Sequence, residues 1–403
     1  MLRFKIIVLI IILPVFLLGT SYYEKSINKL VSNGSVYVRD DNENELIKIN
    51  INKEFIPASI LKIITAMAAY NYLGKDFRFK TEFYFDHNKN LYIKGYGDPL
   101  LISEEIDLIA KEFAKRGLKN INSIFLDTSF FDKNIKIDGV ENSLNPYDTT
   151  NGALCVNFNT INVKIDNNFK IHSLEKQTPI TGFAKTLIRK KHPNKKGLKD
   201  RIVLSHEKNE IILYAGHLFA EFLKKYGIKV NGKIIKKDVS KEAGLFYQHL
   251  SSKTLDDIIK SMMKYSTNFT ANQIFLSLGA IINDPPASVD KSSLLISQYL
   301  KKQFNITRAN IVEGSGISRK NKISAKDLMT VLISYTKEYA YTFTNKTGAF
   351  YKTGTLSNIK TAAGFIKKDN QEKVYFVIIL NNETNFRKRD KILSLIKKMI
   401  LEN

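Results

Sequence analysis

The chain has 403 residues, more than one ordinary domain accommodates, and its 44% hydrophobic content is enough for buried cores and excludes a disordered protein. A net charge of +23 points to an anionic neighbour such as membrane lipid or a cell-wall polymer, although a Lys-, Asn- and Ile-rich compositional bias spread over the surface accounts for it equally well. Cys155 is the single cysteine, so no intramolecular disulfide forms, and the six histidines show no ligand spacing, so no metal site is expected.

Residues 1–21 read as a targeting segment. Arg3 and Lys5 give a basic start, Ile6 to Leu18 carry no charge, and Gly19-Thr20-Ser21 offers small residues for cleavage. The uncharged run is shorter than the ~20 residues a bilayer span needs. A cleaved export signal is therefore favoured over an uncleaved anchor, which places the mature chain in the periplasm or on the outer face of the cytoplasmic membrane.

Residues from about 35 to 52 alternate in hydrophobicity around Asp-Asn-Glu-Asn and predict a hairpin. Pro57 precedes a helical run from Ser59 to Leu73 that stops at Gly74. A second hairpin is expected from about 79 to 95, followed by a turn at Gly95-Tyr96-Gly97-Asp98-Pro99. Between 95 and 249 the character changes. Strand-like pieces at Ser123–Leu126, Cys155–Ile165, Ile202–Leu204 and Ile211–Leu213 alternate with helical runs at Ile106–Arg116 and Leu218–Tyr226, an inserted region of one or two small α/β subdomains. The basic run Arg189–Arg201 surrounds Pro193 and Gly197 without interleaved aromatics and reads as a solvated loop, not a nucleic-acid site. Helices are expected at Leu255–Met263, Phe269–Leu278, Ser288–Lys302 and Ala325–Thr336, then strands at Ala349–Lys352, Ala362–Lys367 and Val374–Leu380. The closing helix, Lys388–Leu401, has an apolar stripe (Ile392, Leu395, Ile396, Met399) that suits packing on the adjacent sheet better than a membrane surface.

Three short motifs carry the chemistry. Ser59-Ile60-Leu61-Lys62 places a hydroxyl and an amine three residues apart, on one face of a helix. A serine is a weak nucleophile until a neighbour removes its proton, and a lysine does so only when desolvation or nearby positive charge lowers its pKa. Taken alone, the same residues suit an N-capping serine and a surface lysine. Ser266-Thr267-Asn268 offers a second hydroxyl and a carboxamide, or simply the cap of the next helix. Lys352-Thr353-Gly354-Thr355 sits on an expected strand, where glycine admits a close backbone and the cation and hydroxyls suit a carboxylate. A second copy, Lys346-Thr347-Gly348, lies among Thr, Asn and Gly and reads as loop.

In this order, S-x-x-K, S-x-N and K-T-G resemble the signature of penicillin-reactive serine acyltransferases. With Gly97-Asp98-Pro99-Leu100-Leu101, Leu126-Asp127-Thr128-Ser129-Phe130-Phe131, Pro146-Tyr147-Asp148, Gly152-Ala153-Leu154 and Glu313-Gly314-Ser315-Gly316-Ile317-Ser318-Arg319, the chain is similar to the class C low-molecular-mass penicillin-binding proteins, the D-alanyl-D-alanine carboxypeptidase and endopeptidase family. The gap of about two hundred residues between Lys62 and Ser266 matches that family's long insertion.

The resemblance implies an α+β transpeptidase-like fold, an antiparallel five-stranded sheet flanked by helices, formed by residues 22–94 plus 250–403 with the region 95–249 inserted. It also implies a site in which Ser59 attacks, Lys62 takes its proton, Ser266 passes a proton to the leaving amine in the field of Lys352, and Asn268 orients Lys62 and the substrate amide. Backbone N–H groups of Ser59 and Thr355 would form the oxyanion hole; Thr353, Gly354 and Thr355 would bind the terminal carboxylate. Asp127 either pairs with a free amine of a peptidoglycan stem peptide or stabilises a turn. The implied partners are stem peptides and, as covalent inhibitors, β-lactams; no metal or organic cofactor is implied.

Two rivals remain. A class A β-lactamase has a short gap between its first two motifs and a Glu-x-x-Leu-Asn element after the second, whereas Glu141-Asn142-Ser143-Leu144-Asn145 precedes Ser266 here. The other is a non-catalytic wall-binding protein that keeps the fold.

Overall fold

The computed structural model describes residues 22–192, 195–368 and 372–402, so the expected export segment, 1–21, lies outside the described residues. The chain forms two compact units. The first takes the chain up to Ala68, Met263–Ser266 and Ile296 onward; the second takes Ala69–Met262 and Thr267–Leu295.

The first unit is built on an antiparallel sheet in the order Thr344–Lys346, Ala349–Leu356, Ile359–Lys367, Lys373–Asn381, Gly34–Asp40, Glu45–Ile49. The N-terminal hairpin thus joins the C-terminal strands, with Val36 opposite Ile378 and Gly34 opposite Leu380. Alternation places Val36, Val38, Val374, Phe376, Ile378 and Leu380 on one face, and the C-terminal helix Phe386–Leu401 lays Ile392, Ile396 and Met399 onto it. Its apolar stripe is therefore inside the molecule. Helix Ala325–Tyr339 packs against Lys373–Asn381 and Gly34–Asp40, where Phe343 bridges Tyr335 and Phe365 edge-on.

The sheet has six strands where five are expected. The extra one arises because Lys346-Thr347-Gly348, read as loop, makes a two-residue hairpin turn. Thr347 and Gly348 have φ of 53° and 82°, the left-handed pair that matches the twist of the flanking strands.

The second unit holds a mixed five-stranded sheet, Ile234–Lys236, Ile124–Asp127, Leu91–Gly95, Lys80–Phe85 and Gly244–Leu250. Helices Ser103–Lys115 and Lys208–Lys225 pack on it through Phe83, Phe113 and Phe219. A smaller sheet orders Lys199–Val203, Thr160–Ile165 and Ile171–Ser173.

Several expectations change here. The hairpin from Lys80 to Gly95, assigned above to the catalytic part, bonds into the second unit because Leu91–Lys94 pairs in parallel with Ile124–Asp127. The boundary at 94/95 therefore cuts through a sheet. Ile211–Leu213 is not a strand; Ile211, Ile212, Ala215, Leu218, Phe219 and Phe222 recur at helical spacing and bury one face of the eighteen-residue helix Lys208–Lys225. In the expected Cys155–Ile165 strand, only Thr160–Ile165 is extended, because Asn157, Phe158 and Asn159 all turn left-handed. The basic run is not wholly loop: Arg189–Lys191 end the helix Gly182–Lys191, and Lys199–Arg201 enter a strand, while residues 193 and 194 lie outside the described residues.

Ile378 is fully buried between the C-terminal helix and the sheet. Ile378→Ala is expected to cost about 2–5 kcal/mol of stability, visible as a lower urea midpoint at unchanged slope.

Candidate active site

Ser59 lies in a 3₁₀ turn, Ala58–Leu61, that leads directly into helix Lys62–Leu73. The expected single helix therefore starts with one tight turn. Ala58 has φ of 50°, a left-handed conformation that costs energy for a residue with a Cβ. The surroundings hold it there. Ile56 N–H donates to Asn381 Oδ1 at 3.0 Å, and Thr361 Oγ1 donates to Pro57 O at 2.8 Å.

Two glycines let backbone close on this turn. A Cβ on Gly316 would lie 1.9 Å from Ala58 O, and one on Gly354 would lie 2.7 Å from Ser59 N and 2.2 Å from Thr361 Oγ1. Glycine at 354 is thus explained by the close approach of strand Ala349–Leu356 to the serine.

Lys62 is completely buried. Its Nζ is 3.1 Å from Ser59 Oγ and donates to Ser315 O at 2.7 Å. Burial pushes its pKa well below the ordinary lysine value, the charge of Lys352 lowers it further, and the carboxylate of Glu313 opposes both. A neutral amine at hydrogen-bond distance from a hydroxyl can accept that hydroxyl's proton.

Ser266 follows helix Leu255–Tyr265 and is itself left-handed, with φ of 59°. Lys352 Nζ donates to Ser266 Oγ at 2.6 Å and to Thr353 O at 3.0 Å. Lys352 is nearly buried, and desolvation, with a smaller effect from Lys346, pushes its pKa down to about 8. Beyond Lys352 the strand continues through half-buried Thr353, Gly354 and exposed Thr355. The outer strand Thr344–Lys346 is in register with Ala349–Tyr351 only, so the motif stretch runs on past its outer neighbour.

The first unit therefore gathers Ser59, Lys62, Ser266, Lys352, Thr353, Gly354 and Thr355. Asn268 opens helix Asn268–Ile282, two residues after the segment Met263–Ser266 ends. Asp127 belongs to the second unit. Its buried carboxylate accepts from Ser129 N–H at 2.7 Å and Val239 N–H at 2.8 Å, with Lys94 Nζ at 3.8 Å, which is turn-forming geometry. The Ser315 carbonyl as a partner of Lys62 had no sequence signal, because any residue supplies a carbonyl; only the Gly-Ser-Gly spacing marks the loop.

Three comparisons bear on this geometry. The profile of the D-Ala-D-Ala carboxypeptidase 3 (S13) family matches residues 25–348. The chain is 26% identical over 410 residues to the D-alanyl-D-alanine carboxypeptidase DacB of Haemophilus influenzae, covering 87% of this chain and 85% of that protein. It is 25% identical to the D-alanyl-D-alanine carboxypeptidase of Actinomadura sp. strain R39, covering 74% of this chain and 63% of that one. Among solved structures, penicillin-binding protein 4 (dacB) of H. influenzae superposes with a TM-score of 0.76 at 22% identity, over 92% of this chain and 98% of that one. The predatory peptidoglycan endopeptidase Bd3459 of Bdellovibrio bacteriovorus gives 0.57 at 16% identity, over 93% of each.

Gly354→Ala is expected to displace the Ser59 backbone, to slow acylation by a β-lactam on the order of 100-fold and to lower the thermal midpoint, since overpacking costs about 1–3 kcal/mol. A wild-type rate of adduct formation, followed by fluorescent-penicillin labelling, would show that the close approach is not required.

Proposed function

Because this chain belongs to the D-Ala-D-Ala carboxypeptidase 3 (S13) family, we propose that Ser59 is the nucleophile with which it cleaves the terminal D-Ala-D-Ala bond of peptidoglycan stem peptides. The protein is a serine-type D-Ala-D-Ala carboxypeptidase with the α+β fold of the penicillin-binding proteins. The observation that carries the assignment is the buried Lys62 amine 3.1 Å from Ser59 Oγ.

Ser59 Oγ attacks the carbonyl carbon of the penultimate D-Ala, and its proton passes to neutral Lys62 Nζ. The developing oxyanion is met by the backbone N–H groups of Ser59 and Thr355. As the C–N bond breaks, Ser266 Oγ delivers a proton to the departing amine of the terminal D-Ala. Lys352, 2.6 Å from that hydroxyl, makes the transfer easier and draws the substrate carboxylate toward Thr353 and Thr355. Water then attacks the ester carbonyl, returns a proton to Ser59 and releases the shortened peptide. The same steps on a cross-bridge peptide give endopeptidase activity.

A β-lactam presents a strained amide with a nearby carboxylate and acylates Ser59 in the same way. The relevant substrate lies in the wall, so the reading includes export by residues 1–21. Among the described residues, no helix is long and apolar enough to cross a membrane.

Intact mass after benzylpenicillin treatment is expected to show a stable adduct on the wild type and none on Ser59→Ala; turnover of the drug without an adduct would indicate a β-lactamase instead. The pKa of about 8 for Lys352 gives a pH dependence with a definite sign. Below it the side chain is charged and binds the substrate carboxylate; as pH rises through it the charge is lost. KM for a D-Ala-D-Ala peptide is therefore expected to rise between about pH 7.5 and 9, by up to tenfold per unit at the limit, and a flat KM over that range would count against Lys352 as the carboxylate anchor.

A further inference from the structure

Glu313 is a carboxylate with no exposure to solvent, and a buried charge is tolerated only when its lone pairs are filled. Its Oε2 accepts from Ser315 N–H at 2.8 Å and Ser315 Oγ at 2.6 Å. Its Oε1 accepts from Gly316 N–H at 2.6 Å, Asn321 Nδ2 at 2.6 Å and Ser318 N–H at 3.4 Å. Asn321 in turn accepts from Val312 N–H at 2.9 Å, which closes the loop at its other end.

One side chain therefore collects the inward backbone N–H groups of the loop from Ser315 to Ser318. The carbonyls of the same loop are left for other donors. Ser315 O accepts from Lys62 Nζ at 2.7 Å, and Gly314 O accepts from Thr65 Oγ1 at 2.6 Å, one turn further along the lysine helix. The left-handed Gly316 completes the turn against Ala58 O.

We propose that Glu313 is the positioning residue of the general base: its carboxylate folds the loop that aims the Ser315 carbonyl at Lys62, and its negative charge acts on the same amine. This rests on the assignment of Lys62 as the base given above.

Among the described residues, Lys352 and Glu313 bear on the charge of Lys62. Lys352, from the strand Ala349–Leu356, favours the neutral amine, and Glu313, from the loop, favours the ammonium. Without Glu313 the desolvated amine would be held neutral more strongly but would be a weaker base and less well aimed. With it, the amine keeps enough basicity to take the Ser59 proton.

Acylation needs neutral Lys62, so its rate rises with pH through the Lys62 titration. Removing the Glu313 charge lowers that titration, and the acidic limb moves to lower pH. The experiment is the second-order acylation rate of Ser59 by a fluorescent penicillin, from pH 4.5 to 9, on the full chain.

Glu313→Gln is expected to move the acidic limb down by roughly half a unit or more and to lower the plateau rate, because its amide must face backbone N–H groups. Glu313→Asp keeps the charge but withdraws it by one methylene; its limb should stay near the wild-type position while its plateau falls about tenfold.

An unmoved limb in Glu313→Gln would overturn the inference. If Glu313→Gln does not fold, a wild-type plateau in Glu313→Asp overturns it equally. Lys62→Ala separates the two readings. Acylation by Lys62→Ala with the wild-type rate and limb would remove the base assignment itself. Loss of acylation in Lys62→Ala with an unmoved limb in Glu313→Gln would remove only the role of Glu313.

Discussion

The structure depends on the complete desolvation of one lysine beside one serine. Burying an ammonium is expensive, so the interior shifts Lys62 toward the neutral amine, and a neutral amine is what the serine hydroxyl requires. That arrangement holds only while Lys62 stays buried, and backbone packs closely on the turn that precedes it. Gly316 and Gly354 are the two places where a side chain would prevent it. The left-handed backbone at Ala58 and at Ser266 is the strain that this closure imposes, placed where the hydroxyls must be aimed.

The sheet supplies the rigidity against which that strain is held. Its strands come from the two ends of the chain, and Asn381, at the end of the strand Lys373–Asn381, bonds both polar groups of Ile56 just ahead of the turn that carries Ser59. From the adjacent strand, Thr361 Oγ1 donates to the carbonyl of Pro57. The C-terminal helix, basic on its exposed face, covers the opposite side with Ile392, Ile396 and Met399. Core packing and the position of Ser59 are thus one problem, solved by the same strands.

Charge is distributed with similar economy. Two lysines stand near one another in a poorly hydrated space, and each is lowered in pKa chiefly by burial. Lys352 retains its proton up to about pH 8 and faces Ser266, while the fully buried Lys62 is pushed well below the ordinary lysine value and faces Ser59. An amine able to take a proton thus faces one serine and a cation able to hold an anion faces the other.

The sequence by itself determined the motif residues, their order, and most of the regular elements, because periodicity and glycine or proline breaks are local properties. Ser59, Lys62, Ser266 and Lys352 were each legible as residue types at the head of a helix or on a strand. Three things needed the tertiary structure. The Lys80–Gly95 hairpin joined the second unit because strand pairing is settled by partners far along the chain, not by the hairpin's own pattern. Ile211–Leu213 became helix because a three-residue aliphatic stretch carries too little period to resist an eighteen-residue amphipathic run. Glu313 and the Ser315 carbonyl gained their positions from a loop about 250 residues from Lys62; a backbone acceptor has no residue signature, so only folding could decide which carbonyl faces the amine.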